Sequence, residues 1–139
     1  MRGLATRLIA CRQGVSVVEL ALVLMLFLGF VFGIINFSLV AWTQASLYYA
    51  AQAAARCASA VPTICGSPPV RAQVENYALD QYYGQPLSGP NPFKYNDPSP
   101  GCGHTVTASY PYPLSIPFYG DYPLSLSANA CFPAGGSTG

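Results

Sequence analysis

Charge is what this chain has least of. Only 8% of its 139 residues are Asp, Glu, Lys or Arg, and the net charge is +1, so there is no basic surplus with which to hold a polyanion, and a nucleic-acid partner is not expected. Histidine is almost absent: His104 stands alone. Cys102 lies two residues before it, but the cysteine spacing fits no zinc pattern and further ligands are lacking. There is no Cys-x-x-Cys for redox work, no phosphate-cradling glycine loop, and no Ser, His and Asp set in a recognisable context. The chain is therefore expected not to be an enzyme and to need no metal or cofactor. Glu75, Asp80, Asp97 and Asp121 read as solvated surface acids, and Gly101-Cys102-Gly103 as a turn.

What it has in abundance is apolar sequence. Between Glu19 and Arg56 no residue carries a formal charge, and Leu20 to Ile35 is apolar throughout apart from Gly29 and Gly33. A hydrocarbon core takes about 20 residues of helix. Leu20 to Val40 contains fifteen Leu, Ile, Val and Phe residues, giving an insertion free energy of about −5 to −9 kcal/mol. A carboxylate at mid-membrane costs about 3 kcal/mol, and Glu19 is nearer an edge, so insertion wins. Gly29 and Gly33 form a small-xxx-small pair that lets a second helix approach closely. Asn36, one turn further on, suits either a bond across a helix interface or a cap on the apolar stretch.

Ahead of the run lies a short basic leader, MRGLATRLIACRQG, with three of the six basic residues and no acid, while four of the five acids follow the run. Positive charge on the N-terminal flank places that end in the cytoplasm and the remainder across the inner membrane, in a single pass. Other targeting signals fit poorly. Leu8-Ile9-Ala10-Cys11 mimics a lipoprotein box, yet the apolar stretch follows the cysteine instead of preceding it. Ala58-Ser59-Ala60 imitates a signal-peptidase site but stands about twenty residues past the apolar core.

A basic leader ending in Gly14, four residues, Glu19 and then a long apolar helix resembles the class III signal of type IV prepilins. GVSVVELALVL, then GIINF, then QASLYYAAQAAARCAS narrows this: residues 12–59 resemble the TadE-like minor pseudopilins of the Tad (tight adherence, Flp pilus) machinery. The sequence departs from that pattern at Leu20, where the family usually has Phe or Tyr, and at Met25, where Pro is common. The resemblance implies that a prepilin peptidase cuts after Gly14, leaving Val15 as the N-terminus and Glu19 as the fifth mature residue. Cutting would create an ammonium on Val15 about 6 Å along the axis from Glu19. In a low-dielectric setting that acid needs an opposite charge, on its own chain or a neighbour's.

Trp42 to Ala60 contains neither Gly nor Pro and sets Leu47, Ala51, Ala54, Ala58 and Val61 on one face, with Gln44, Gln52, Arg56 and Ser59 largely on another. The helix is thus expected to continue from Val15 to Ala60, about 70 Å, as a pilin-like spine ending at Pro62. Trp42, Tyr48 and Tyr49 suit the outer membrane boundary, and the tyrosines suit packing against the head equally well. Ser67-Pro68-Pro69 is expected to start a second helix of about fourteen residues, stopped by Gly84. Gln85 to Gly101, with five prolines, reads as a loop.

Thr105 to Tyr112 and Leu124 to Ala130 each alternate apolar and polar residues, as strands with one buried face do. Joined by a long turn they form an antiparallel hairpin, and with Tyr110 opposite Leu124 the register puts Cys102 within one position of Cys131. Cys11 falls in the leader, so Cys102 is expected to pair with Cys131 and, by elimination, Cys57 with Cys65. In the chain-entropy model these closures contribute about 3.6 and 2.6 kcal/mol, a large share for so small a body.

The expected architecture is α+β: a leader over residues 1–14, a long helix over 15–60 that includes a membrane segment at about 20–40, and a disulfide-tied extracytoplasmic head over 61–139 that frays at about 133–139. The resemblance implies a structural component of pilus biogenesis, adhesion and biofilm formation. Its partners would be the prepilin peptidase, other pilin or pseudopilin subunits and the Tad assembly platform of the inner membrane. The alternative is an unprocessed, membrane-anchored periplasmic domain that binds a partner. A type II secretion pseudopilin fits less well, because such chains usually begin with Phe and carry a TLIE-like run where this one has Val15 and VSVVE.

Overall fold

The computed structural model describes residues 13–99, 101–116 and 120–134. Most of the leader, including Arg2, Arg7, Cys11 and Arg12, and the tail beyond Ala134 lie outside the described residues. The chain divides into two units, Met1–Phe37 and Ser38–Gly139. Helix α1 spans Gln13–Ala60, as expected of a stretch with no proline between its ends. After it come a four-residue helix α2 (Pro62–Cys65), helix α3 (Arg71–Asp80), and strands β1 (Phe93–Ser99), β2 (Gly103–Ile116) and β3 (Gly120–Phe132). The strands make one antiparallel sheet in the order β1-β2-β3.

The core of the second unit is a stripe of small residues set against large ones. Thr43, Leu47, Ala50, Ala51, Ala54, Ala55, Cys57 and Ala58 are buried along α1, recurring at the three- and four-residue steps that keep one helix face inward. This is the face the sequence marked. From the sheet Phe93, Tyr95, Val106, Tyr110, Tyr112 and Leu126 join the same core, and from α3 Val74 and Ala78. Small residues on the helix leave room for rings on the sheet. Tyr82 meets Phe93 edge-on at 6.4 Å, and burial raises its pKa above the ordinary tyrosine value. Tyr49, 55% exposed, contacts Tyr83 at a ring distance of 6.3 Å.

Polar anchors fix the pieces in place. Gln44 Nε2 donates to the Ser127 carbonyl at 2.7 Å. A flipped amide would set two acceptors face to face, so this orientation stands although Oε1 is left buried without a partner among the described residues. Ser46 Oγ accepts from the Tyr83 N–H at 2.8 Å, and the Arg56 guanidinium lies 5.1 Å from the Phe132 ring centre. On the β1 side the Glu75 carboxylate accepts from the Tyr95 N–H at 3.1 Å, using up a donor that an open edge would present. His104 is buried, its Nδ1 2.6 Å from the Tyr95 hydroxyl.

Four local expectations need correction. The second helix begins at Arg71, with Val70 as an N-cap that makes no side-chain cap bond, because Pro69 disfavours helical backbone at Pro68 and leaves Ser67 to Pro69 in a turn. It ends at Asp80, well before Gly84. The segment read as a loop contains β1, whose Phe93 and Tyr95 are buried two residues apart, so the hairpin is in fact two strands of a three-stranded sheet. The hairpin register is two residues from that expected: Tyr110 faces Leu126 and Val106 faces Ala130. A slip of two preserves the side-chain period, so the correct faces were still assigned inward.

The slip arises because β2 and β3 continue through prolines. The Ser109 N–H bonds to the Pro92 carbonyl and the Ser127 carbonyl to Gln44, so the odd-numbered residues of both strands turn their backbone groups away from each other. Pro111, Pro113 and Pro123 occupy such positions and interrupt no bond between the two strands.

Both expected disulfides are formed, Cys57–Cys65 and Cys102–Cys131, with Cα separations of 5.8 and 6.2 Å. Cys102 joins from the turn before β2, and Cys131 sits opposite Thr105. Non-reducing peptide mapping should recover these two linkages, and a Cys57–Cys102 peptide would refute the arrangement. Gly103, at φ +105°, enters β2 where a Cβ would strike the backbone of Phe132 to Ala134; Gly89, at φ +108°, has open space around it. Gly103→Ala and Gly89→Ala should both incur about 1–3 kcal/mol of backbone strain. In denaturation of the detergent-solubilised chain Gly103→Ala should lose clearly more, and equal losses would contradict the close contact.

Candidate functional site

The segment singled out by the sequence lies on one continuous helix. Gly14 falls within α1, and Glu19, a little over one turn further, is exposed. Leu20, Leu22, Val23, Met25, Leu26, Phe27, Phe30 and Phe32 are all at least half exposed. Among the described residues, none in the most apolar part of α1 is buried. So large an apolar surface on a helix cannot be stable in water without a cover, and bilayer or other helices are its natural solvents. One apolar helix of this kind is consistent with single-pass membrane anchoring.

Gly29 and Gly33 share a face with Leu22, Met25, Leu26 and Phe37, and Phe30 and Ile34 flank them. A Cβ built on either glycine meets nothing within 4 Å, so among the described residues neither glycine is needed for packing. The notch is open to another helix. Asn36 Nδ2 donates to the Phe32 carbonyl at 2.9 Å, four residues back on its own helix, a bond that removes a polar group from competition with an apolar surrounding.

Residues 14–56 match the family model described as TadE-like protein. This segment is similar to TadE-like proteins. The match begins at Gly14 and covers about a third of the chain, all of it on α1. No curated protein and no solved structure matches the chain. The TadE-like match supports a component associated with the Tad pilus.

Among the described residues no group of three or more His, Cys, Asp or Glu side chains is placed to hold a metal. The sequence reading passed over Leu114, Ile116 and Tyr122, assigned to a turn. They lie on strands and continue the inward-facing period of β2 and β3; even-numbered apolar residues at 112, 114 and 116 were the signal.

Because the notch is empty, Gly33→Leu should leave the thermal stability of the isolated chain unchanged while weakening helix association in the membrane. Energy transfer between labelled chains in vesicles reads the second quantity, and transfer equal to that of the parent would remove Gly29 and Gly33 from any helix interface.

Proposed function

We propose that this chain is a minor pseudopilin of the Tad (Flp) type IVb pilus system. It is made as a prepilin, inserted in the inner membrane with its N-terminus in the cytoplasm and its head outside. A prepilin peptidase trims it after Gly14, and it assembles with other pilin or pseudopilin subunits on the Tad platform, supporting adhesion and biofilm formation. The observation that carries this reading is the TadE-like match starting at Gly14 itself, on a helix whose apolar stretch has no buried residue among those described.

Glu19 has the central role. Unpaired, a carboxylate at the lip of the apolar stretch is costly; beside a newly made Val15 ammonium it is half of an ion pair. The amine comes from the same chain or from the subunit alongside, and in the second case the pair sets the axial register between subunits. The head serves as a contact module.

Mass spectrometry of the chain from cells containing the peptidase should show an N-terminus at Val15. Gly14→Phe should block trimming and abolish piliation. Full function with residues 1–14 still attached would instead favour a periplasmic domain on a plain anchor. Glu19→Ala should leave trimming intact and reduce assembly, and Glu19→Asp should recover part of it.

A further inference from the structure

The two disulfides sit in opposite surroundings. Cys57 is 3% exposed and Cys65 fully buried, both inside the core, so no thiol in solution reaches that link while the head stays folded. Cys102 is exposed and Cys131 half-buried. Along β3 the residues at 126, 128 and 130 are buried, and Cys131, one position on, points to the other side of the sheet. The second link therefore lies on the outer face.

Cys102 stands in the turn between Gly101, at φ +107°, and Gly103, at φ +105°. On the Gly103 side the backbone of Phe132 to Ala134 crowds close, whereas a Cβ added at Gly101 would meet nothing within 4 Å among the described residues. An incoming group thus has open space on the Gly101 side of Cys102.

The other sulfur has a donor. Thr105 faces Cys131 across the ladder, at one of the odd-numbered pairs whose backbone groups turn away from each other, where facing side chains come closest. The Thr105 hydroxyl donates to Cys131 Sγ at 3.5 Å. That bond is weak while the sulfur is neutral and strengthens as negative charge develops on it. In thiol–disulfide exchange an accessible sulfur takes the attack, and the sulfur whose thiolate is better stabilised leaves faster. Both criteria select the same direction here.

We propose that the Cys102–Cys131 bond is an exchange site for a small thiol, with Cys102 as the sulfur attacked and Cys131, held by Thr105, as the leaving group. The thiol gives up its proton to water. Its thiolate forms a new S–S bond with Cys102 Sγ as the old bond breaks, and the bonding pair leaves on Cys131 Sγ. One disulfide is consumed and one formed, so no further oxidant or reductant is needed. The β2–β3 pairing from His104 to Ile116 and the buried Cys57–Cys65 link remain, so exchange frees the turn from the end of β3 without dismantling the core. The head thereby carries one cysteine to which a small thiol attaches from outside, whether or not the chain is trimmed at Gly14.

The test uses the detergent-solubilised full chain carrying Cys11→Ser, so that the four bonded cysteines are the only ones left. Glutathione is the probe, added briefly and quenched with N-ethylmaleimide before peptide mapping. The expected product has glutathione on Cys102 and the maleimide on Cys131, with Cys57 still linked to Cys65. Thr105→Val should slow its formation several-fold, and Thr105→Ser, which keeps the hydroxyl, should restore most of the rate. Glutathione mainly on Cys131, or shared equally, would overturn the direction of attack, and this mapping of the parent chain decides it whatever the variants do. Modification of Cys57 or Cys65 at a similar rate, or no adduct short of denaturation, would overturn the site itself. A folded Thr105→Val chain that exchanges as fast as the parent would remove Thr105 from the step.

Discussion

The second unit depends on how closely α1 can approach a sheet that carries aromatic rings. Its inward stripe is mostly alanine, and Phe93, Tyr95, Tyr110 and Tyr112 fill the space this leaves. Any larger residue in the stripe would push the sheet away and open gaps beside every ring at once, since interiors of this density do not adjust locally. The side-chain bonds from Gln44 and Ser46 and the stacking of Arg56 hold the sheet and the segment after α3 at that separation. They set position; the burial beneath them supplies most of the energy.

One helix serves two solvents. From Leu20 to Ile35 the side chains all round the helix are apolar and mostly exposed; from Thr43 onward it has one buried stripe and a polar opposite face. The change falls close to Trp42, and it explains why periodicity is absent in the first part and plain in the second: a helix surrounded by lipid or by other helices has no wet side to mark. The TadE-like match spans both parts, from Gly14 to Arg56.

How much was legible follows from how much each feature depends on distant partners. The long helix, its buried face at Leu47, Ala51, Ala54 and Ala58, and the inward faces of β2 and β3 are set by local period and were readable. The disulfides were read from the hairpin register and by elimination, and they survived a two-residue error in that register because Cys102 lies in the turn before β2, outside the ladder, and reaches Cys131 from there. What was missed is decided by context. β1 has a proline, Pro98, and a lysine, and it is a strand because Phe93 and Tyr95 find the core and Glu75 takes an edge donor. Ser67 looks like a cap, but the two prolines after it belong to a turn. The prolines of β2 and β3 looked like strand breakers and are harmless, since their missing donors face away from the partner strand. At the candidate site the residue types were readable, and the emptiness of the notch at Gly29 and Gly33 could be seen only in three dimensions.

The Cys57–Cys65 bond has a mechanical consequence. Cys57 stands one turn before the end of α1, and Cys65 closes α2 directly after it. A pull transmitted along the long helix reaches a covalent bypass at that point. The residues between the two sulfurs bear none of the load, and the final turn cannot unwind to lengthen the chain. Tension on the spine is therefore handed to α3 and the sheet beyond it as a rigid tug.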